Sequence, residues 1–429
     1  MKTSLIVTNS LLELDKDPTL SFRLAEYAYL QDTNNLLAQK ALISAFHNRP
    51  FYSRVYDNYL NRYYEPLSPD GKKIILDTEI GSLKVIDFSG YEINTSKKMH
   101  KGYFHATFFN DSKRVMTCGT DRLIKTWNFS DGEYKLIRHN KTQFGYCIVS
   151  PNGQYFIISL GIPYTYKLCD IGGTELYEFS IEDEWFYDSP IFSYDSKCLF
   201  IKKNDSIIGE FDIRQKIFID EFKSSFYISS FDLSKDKKYL ICSGENNNAI
   251  LWNIKTKKIS LIKVNSDQIE IARFVPKNNK ILTITDEQII QLWSINGEQL
   301  DIYYFDDYVN YVNFSDDGEY FIIGTDNNST TICNIETGRE KILKGHIVDI
   351  EYYNFSNDMQ YVIKKSEKDT RVWRFIEDSL ILSSNDDYIY LANFLNGGEV
   401  IVTGGEDTLR IWRNNIEIFK FEAHKWLYK

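Results

Sequence analysis

Residues 251–254 read LWNI, and that pattern decides the fold: an apolar residue, a tryptophan or its substitute, a small polar residue, then usually an apolar one. It returns as VIDF at 85–88, TWNF at 126–129, LCDI at 168–171 and EFDI at 210–213. It continues as LWSI at 292–295, ICNI at 332–335, VWRF at 372–375 and IWRN at 411–414. The second positions of these nine tetrapeptides lie 41, 42, 42, 41, 41, 40, 40 and 39 residues apart. A fixed period of this size marks an array of one supersecondary unit.

A second marker precedes each tetrapeptide. It reads SPDGK at 68–72, FNDSK at 109–113, SPNGQ at 150–154, SYDSK at 193–197 and LSKDKK at 233–238. Then come VPKNNK at 275–280, SDDGE at 315–319, SNDMQ at 356–360 and LNGGE at 395–399. Clusters of Asp, Asn, Gly and Ser between short apolar runs are hairpin turns. Each period therefore reads as strand, turn, strand, loop, strand, turn, strand. One such sheet cannot cover both its faces, so the units must stack on one another. The 15% aromatic content agrees with an all-β chain.

The period and the two markers together resemble the WD40 repeats, over about residues 56–429. The resemblance implies a β-propeller and a protein-binding role. Single motifs depart from the family. Gly345-His346 is the one full Gly-His dipeptide, and Ile86, Cys169, Phe211 and Cys333 stand at tryptophan positions. The family's turn aspartate is matched by Asp121, Asp369 and Asp407. Its His–Asp–Ser/Thr–Trp network is thus expected to be largely absent, with His346 closest to the family's structural histidine. The count favours nine blades in one ring; eight with one unit displaced, or seven plus two, are the alternatives. Phe51–Tyr56 and Ile416–Phe421 both suit the outer strand of the last blade.

Before the repeats, residues 1–50 read as a helical lead-in and residues 51–429 as the propeller. Asp17-Pro18 is a helix start, with Leu20, Leu24, Tyr27 and Ala28 on one face. Thr33 or Asn34 caps a further helix that turns Leu37, Ala41, Ala45 and Phe46 inward, and an earlier helix covers about Leu5 to Leu14. The stretch DPTLSFRLAEYAYL with RPFYSRV after it resembles the helical segment before WD40 arrays in bacterial STAND-type NTPases. That resemblance implies the sensor part of a defence or signalling system. The chain has no G-x-x-x-x-G-K-[ST] loop, so the expectation is a stand-alone sensor or a detached C-terminal part.

The net charge of −10 argues against a nucleic-acid binder, whose affinity rests on neutralising phosphates. No stretch has the roughly 18 apolar residues of a membrane span. The six cysteines lie in apparent strands without a C-x-x-C pair, which suggests reduced, buried thiols and a cytoplasmic setting. No H-E-x-x-H or G-x-S-x-G motif occurs, so no catalytic residue, metal or cofactor is assigned. His100, His105 and His139 are placed near one surface at the start of the second blade.

The candidate partner site follows from strand direction. The residues just before the first strands include Tyr103, Phe186, Tyr227, Tyr308 and Tyr388, with Trp185 beside Phe186. Asp183, Asp307 and Asp387 accompany them. An aromatic and acidic end is suited to a basic peptide or loop; the alternative is that these rings pack between blades. At the opposite end, Lys235, Lys237, Lys238, Lys255, Lys257 and Lys258 share two turns of the fifth unit and form either a basic patch or a set of solvated lysines.

Overall fold

The computed structural model describes residues 2–14, 18–32, 35–48, 52–57, 67–79, 82–87, 92–96, 99–102, 104–139, 146–160, 165–180, 190–244, 247–264, 268–305, 307–325, 330–343, 350–356, 358–366, 369–375, 379–385, 391–398, 400–404 and 408–413. These residues form three helices and nine antiparallel sheets, one for each sequence repeat. Eight sheets have four strands; the first, over residues 73–96, has three, with a single bridge from Leu67 to Ile74 beside it.

Outside the ninth sheet, strands within a sheet pair in chain order, as the turn markers require. In the fifth sheet Ile228–Leu233, Tyr239–Gly244, Asn248–Asn253 and Ile259–Lys263 run side by side. The second strand is the most buried, and the fourth alternates between exposed positions and the half-buried Ser260 and buried Ile262. A strand with both faces covered reads as an unbroken apolar run, here YLICSG, while an edge strand can be wet. The same gradient recurs in the sixth sheet, where KILTIT is buried and QLDIYY is largely not.

The turn markers have a common chemistry. Ser68, Ser193, Ser315 and Ser356 each donate to the Asp two residues on, at 2.6, 2.7, 2.6 and 2.5 Å. The same hydroxyls accept from the backbone N–H five residues on, closing an Asx-like turn. The residue after the Asp, or after Asn152 in the third repeat, adopts a positive φ: Gly71, Ser112, Gly153, Ser196, Lys237, Gly318 and Met359.

The chain falls into two compact units. One holds the first seven sheets, and its apolar clusters join them pairwise in chain order. Val85 and Trp127 link first to second, Met116 and Phe156 second to third, and Leu168 and Phe211 third to fourth. Phe222 and Trp252 link fourth to fifth, Leu251 and Trp293 fifth to sixth, and Leu292 and Phe321 sixth to seventh. Each sheet thus covers its neighbour's face, which is what a stacked repeat needs.

The other unit contains the helices and the eighth and ninth sheets, joined by Ile363, Val372, Phe394 and Ile401. In the ninth sheet Tyr52–Asp57 lies against Thr408–Arg413, with Arg54 opposite Ile411 and Tyr56 opposite Leu409. The early FYSRVY strand therefore takes the outer position, and Ile416–Phe421 lies outside the described residues.

The helices are α1 (Lys2–Glu13), α2 (Pro18–Gln31) and α3 (Leu36–Asn48). Asp17 is outside the described residues. The cap of α3 is Asn35, whose side chain accepts from the N–H groups of Leu37 and Ala38, rather than Thr33 or Asn34. The inward faces agree with the expected ones in part: Ala28, Ala41 and Ala45 are buried as expected. Phe22, Ala25, Ala28, Ala38, Ala41 and Ala45 form the core with Val7, whereas Leu20, Tyr27 and Leu37 are exposed and Leu24 is half-buried. Small side chains let the helix axes approach, and Ser10 donates to the Ser21 carbonyl at 2.8 Å across that contact.

Candidate functional site

Antiparallel pairing sends the residues before each first strand to one end of a sheet and the marker turns to the other. At the first end, Tyr308 and Asp307 precede Val309–Phe314, and Tyr227 precedes Ile228–Leu233. Tyr308 is 46% exposed. Its hydroxyl donates to Glu270 Oε2 at 3.2 Å, which joins the seventh sheet's loop to the sixth sheet's first strand. Gln288, at a positive φ, accepts from the Val309 N–H at 2.6 Å and fixes the backbone beside the ring.

Tyr227 is placed differently. It is half-buried, and the Lys202 ammonium stands 4.1 Å above its ring while donating to the Ile228 carbonyl at 2.8 Å. A cation in a dry site is stable only when so paired. Tyr227 is therefore engaged in packing, and Tyr308 is nearly half exposed beside an acidic group. Tyr103, Asp183, Trp185, Phe186, Asp387 and Tyr388 lie outside the described residues.

The lysine turns at the other end carry their own counter-charges. Lys237 lies 3.0 Å from Glu210 and 2.9 Å from the Cys198 sulfur. Burial lowers its pKa, but those two partners outweigh burial and raise it. Lys238 pairs with Asp236 at 2.9 Å, and Lys257 pairs with Asp220. Lys235 stands 5.6 Å from the Tyr194 ring. Lys255 and Lys258 occupy the Asn253–Lys258 turn, where the Lys258 carbonyl accepts from Asn253 N. Three of the six lysines are thus neutralised locally.

His100 does not line a surface with His105 and His139, as its position in the sequence suggested. Its side chain is fully buried and stacks on Phe104 with ring centroids 5.1 Å apart. Nδ1 lies 2.8 Å from Asp121 Oδ1, and Nε2 lies 2.8 Å from Thr117 Oγ1. Burial lowers the His100 pKa against the opposing pull of Asp121, so the ring is neutral at pH 7. An ionised carboxylate only accepts, so Nδ1–H donates to Asp121 and Nε2 accepts from Thr117. One repeat thus keeps a histidine–aspartate–threonine chain, with Trp127 buried in the same sheet. In the sixth sheet Trp293 Nε1 donates to Thr283 at 2.9 Å. The signal was Asp121 with Thr117; it was obscured because Met99, not Gly, precedes the histidine. His346 lies outside the described residues.

Among the described residues no group of three or more His, Cys, Asp or Glu is arranged to hold a metal. All six cysteines are buried and none is in a disulfide. No described helix is long and apolar enough to cross a membrane.

No family model matches the sequence. A curated relative, the WD repeat-containing protein 26 homolog of Arabidopsis thaliana, is 26% identical over 160 residues. That match covers 36% of this chain and 26% of the relative, so only about a quarter of the relative's length is represented. Among solved structures, the C-terminal WD40 domain of Sif2 aligns with a TM-score of 0.54 at 12% identity, covering 86% of this chain and 99% of that one. The computationally designed Ika8 protein also aligns with a TM-score of 0.54, at 18% identity, covering 73% and 97%. Together with the repeated four-stranded sheets and their paired markers, these likenesses show that the chain has the WD40-repeat β-propeller fold.

Proposed function

We propose that this protein is a non-catalytic interaction scaffold or sensor whose partner, a protein or peptide with basic groups, binds at the aromatic and acidic end of the sheets. The observation that carries the proposal is Tyr308, nearly half exposed, held on Glu270 and flanked by Asp307. Exposed aromatic rings supply anchoring area, and nearby carboxylates steer and orient a cationic partner. Trp185, Phe186, Tyr103, Tyr388, Asp183 and Asp387 belong to the same proposed surface by their place in the repeat. WD40 propellers as a class commonly bind proteins and are usually non-catalytic, which supports the reading.

Nine blades, one per repeat, belong to the same proposal. So does a role as the sensor of a STAND-like bacterial system in the cytoplasm, which rests on the sequence of the helical lead-in and on six buried cysteines outside any disulfide. A structural subunit of a larger assembly is the second reading; exposed Leu5, Leu12, Leu30 and Leu36 on the helices favour it. Affinity capture from native cells tests the first against the second. A partner captured by the wild type and lost with Trp185→Ala/Tyr308→Ala, at unchanged thermal stability, supports the aromatic end. Capture lost only when the helix leucines are changed to serine favours the structural subunit.

A further inference from the structure

Two cysteines and a histidine meet between the second and third sheets, and nothing in the binding role uses them. His105 and Cys118 are cross-strand partners, on Phe104–Phe108 and Arg114–Gly119. Directly paired residues of an antiparallel ladder point to the same face of the sheet. From the third sheet, Cys147 enters that face with its sulfur 3.6 Å from His105 Nδ1. Cys118 and Cys147 share one apolar cluster, with Cys169 nearby. Cys147 is the first residue of its strand and His105 the second of its own, so both lie at the loop end of the sheets. His105 is half-buried, while Cys118 and Cys147 are buried.

We propose that Cys147 is a peroxide-reactive thiol, with His105 as its proton partner and Cys118 as the resolving cysteine, so that oxidation cross-links the second and third sheets. The chemistry balances. The Cys147 thiolate attacks one peroxide oxygen and the O–O bond breaks; sulfur becomes a sulfenic acid. The departing hydroxide takes the proton from the His105 imidazolium and leaves as water. The neutral imidazole then accepts the Cys118 proton, and the Cys118 sulfur attacks the Cys147 sulfur. The sulfenic hydroxide leaves as a second water, and two thiols and one peroxide have become one disulfide and two waters.

Charge at the site is distributed for this. Burial raises the pKa of Cys147, but hydrogen bonds from Cys118 and His105 outweigh it and bring the thiol to about 6. Burial, reinforced by the neighbouring Cys147 sulfur, holds Cys118 well above the ordinary thiol range. Of the two thiols, the one beside the imidazole is thus the more readily ionised. Phe109 and Phe156 share the apolar cluster of the pair, Tyr146 is in edge contact with the His105 ring at 6.5 Å, and Tyr166 accepts from Tyr146 at 3.1 Å.

Peptide mapping of the full-length protein after graded hydrogen peroxide, without reductant and with free thiols blocked, tests the proposal. The expected product is a Cys118–Cys147 cross-linked peptide that a dithiol reverses. With Cys118→Ala, oxidation stops at a Cys147 sulfenic acid that a cyclic diketone traps. His105→Gln slows the reaction by about tenfold. A measurement on the unaltered protein guards against variants that fail to fold: iodoacetamide labels Cys147 about tenfold faster than any of the other five thiols. Uniform slow labelling of all six cysteines overturns the proposal. So does a peroxide product lacking the Cys118–Cys147 link, or a stoichiometric metal retained by these side chains.

Discussion

At Gly318 the backbone turns with φ 74°, and a methyl group there would overlap the Pro276 carbonyl of the neighbouring sheet's turn. Met359 holds the same turn position at φ 58°. Left-handed backbone costs an L-residue roughly 1–2 kcal/mol, and glycine nothing of that kind. Gly318→Ala should therefore lower stability by about 2 kcal/mol or more, and Met359→Gly should raise it by up to about 1 kcal/mol. Urea unfolding of the two variants beside the wild type checks both signs. His100 gives a pH prediction. Its folded pKa lies below the unfolded value of about 6.5, so the unfolded chain binds the extra proton. Its contribution is complete above about 6.5 and is lost as pH falls through the folded pKa. The gap in unfolding free energy between wild type and His100→Gln should be about 1–3 kcal/mol near neutrality and should narrow on acidification. A gap constant down to about pH 5 would contradict the buried neutral ring. Such residues were only partly legible in the sequence. The turn serines and aspartates announce themselves by type and spacing. His100 does not, because its partners Thr117 and Asp121 are recognised only after folding brings them within 2.8 Å.

Among the elements, the strand at Tyr52–Asp57 and the three helices separate what pattern tells from what packing decides. FYSRVY was one of two candidates for the outer position of the ninth sheet, and the ladder from Tyr52 to Asp57 selects it. A proline at Val55 removes a backbone donor and fixes φ in a paired strand. Val55→Pro should cost about 3 kcal/mol and expose the Thr408–Arg413 edge, which is read as a lower melting temperature with increased aggregation. The helices were legible as helices and partly in orientation: Ala28, Ala41 and Ala45 lie inward as expected, whereas Leu20, Tyr27 and Leu37 do not. Close approach of the axes favours the small side chains inside. Ala41→Leu should overpack the shared core and cost about 1–3 kcal/mol, whereas Leu20→Ser and Leu37→Ser should stay within about 0.5 kcal/mol of the wild type. Differential scanning calorimetry of the three variants separates the two stripes; the reverse order would put the leucines inside.

Across the whole molecule, eight near-equal intervals between nine repeats carried the architecture, because a repeated sheet has only its neighbours to cover its faces. The observed clusters join sheets in chain order within each compact unit. The binding surface was legible only as a tendency. Repeat alignment names the residues before each first strand, but whether a ring packs or protrudes depends on neighbours such as Lys202, which draws Tyr227 into the structure while Tyr308 stays half open. The most direct measurement is the dissociation constant of a captured partner for wild type, for Trp185→Ala/Tyr308→Ala, and for Lys235→Glu/Lys258→Glu. The account predicts weakening of at least about tenfold, or about 1.4 kcal/mol, for the aromatic pair and little change for the lysine pair. Weakening confined to the lysine pair would place the partner on the opposite end of the sheets and contradict the account.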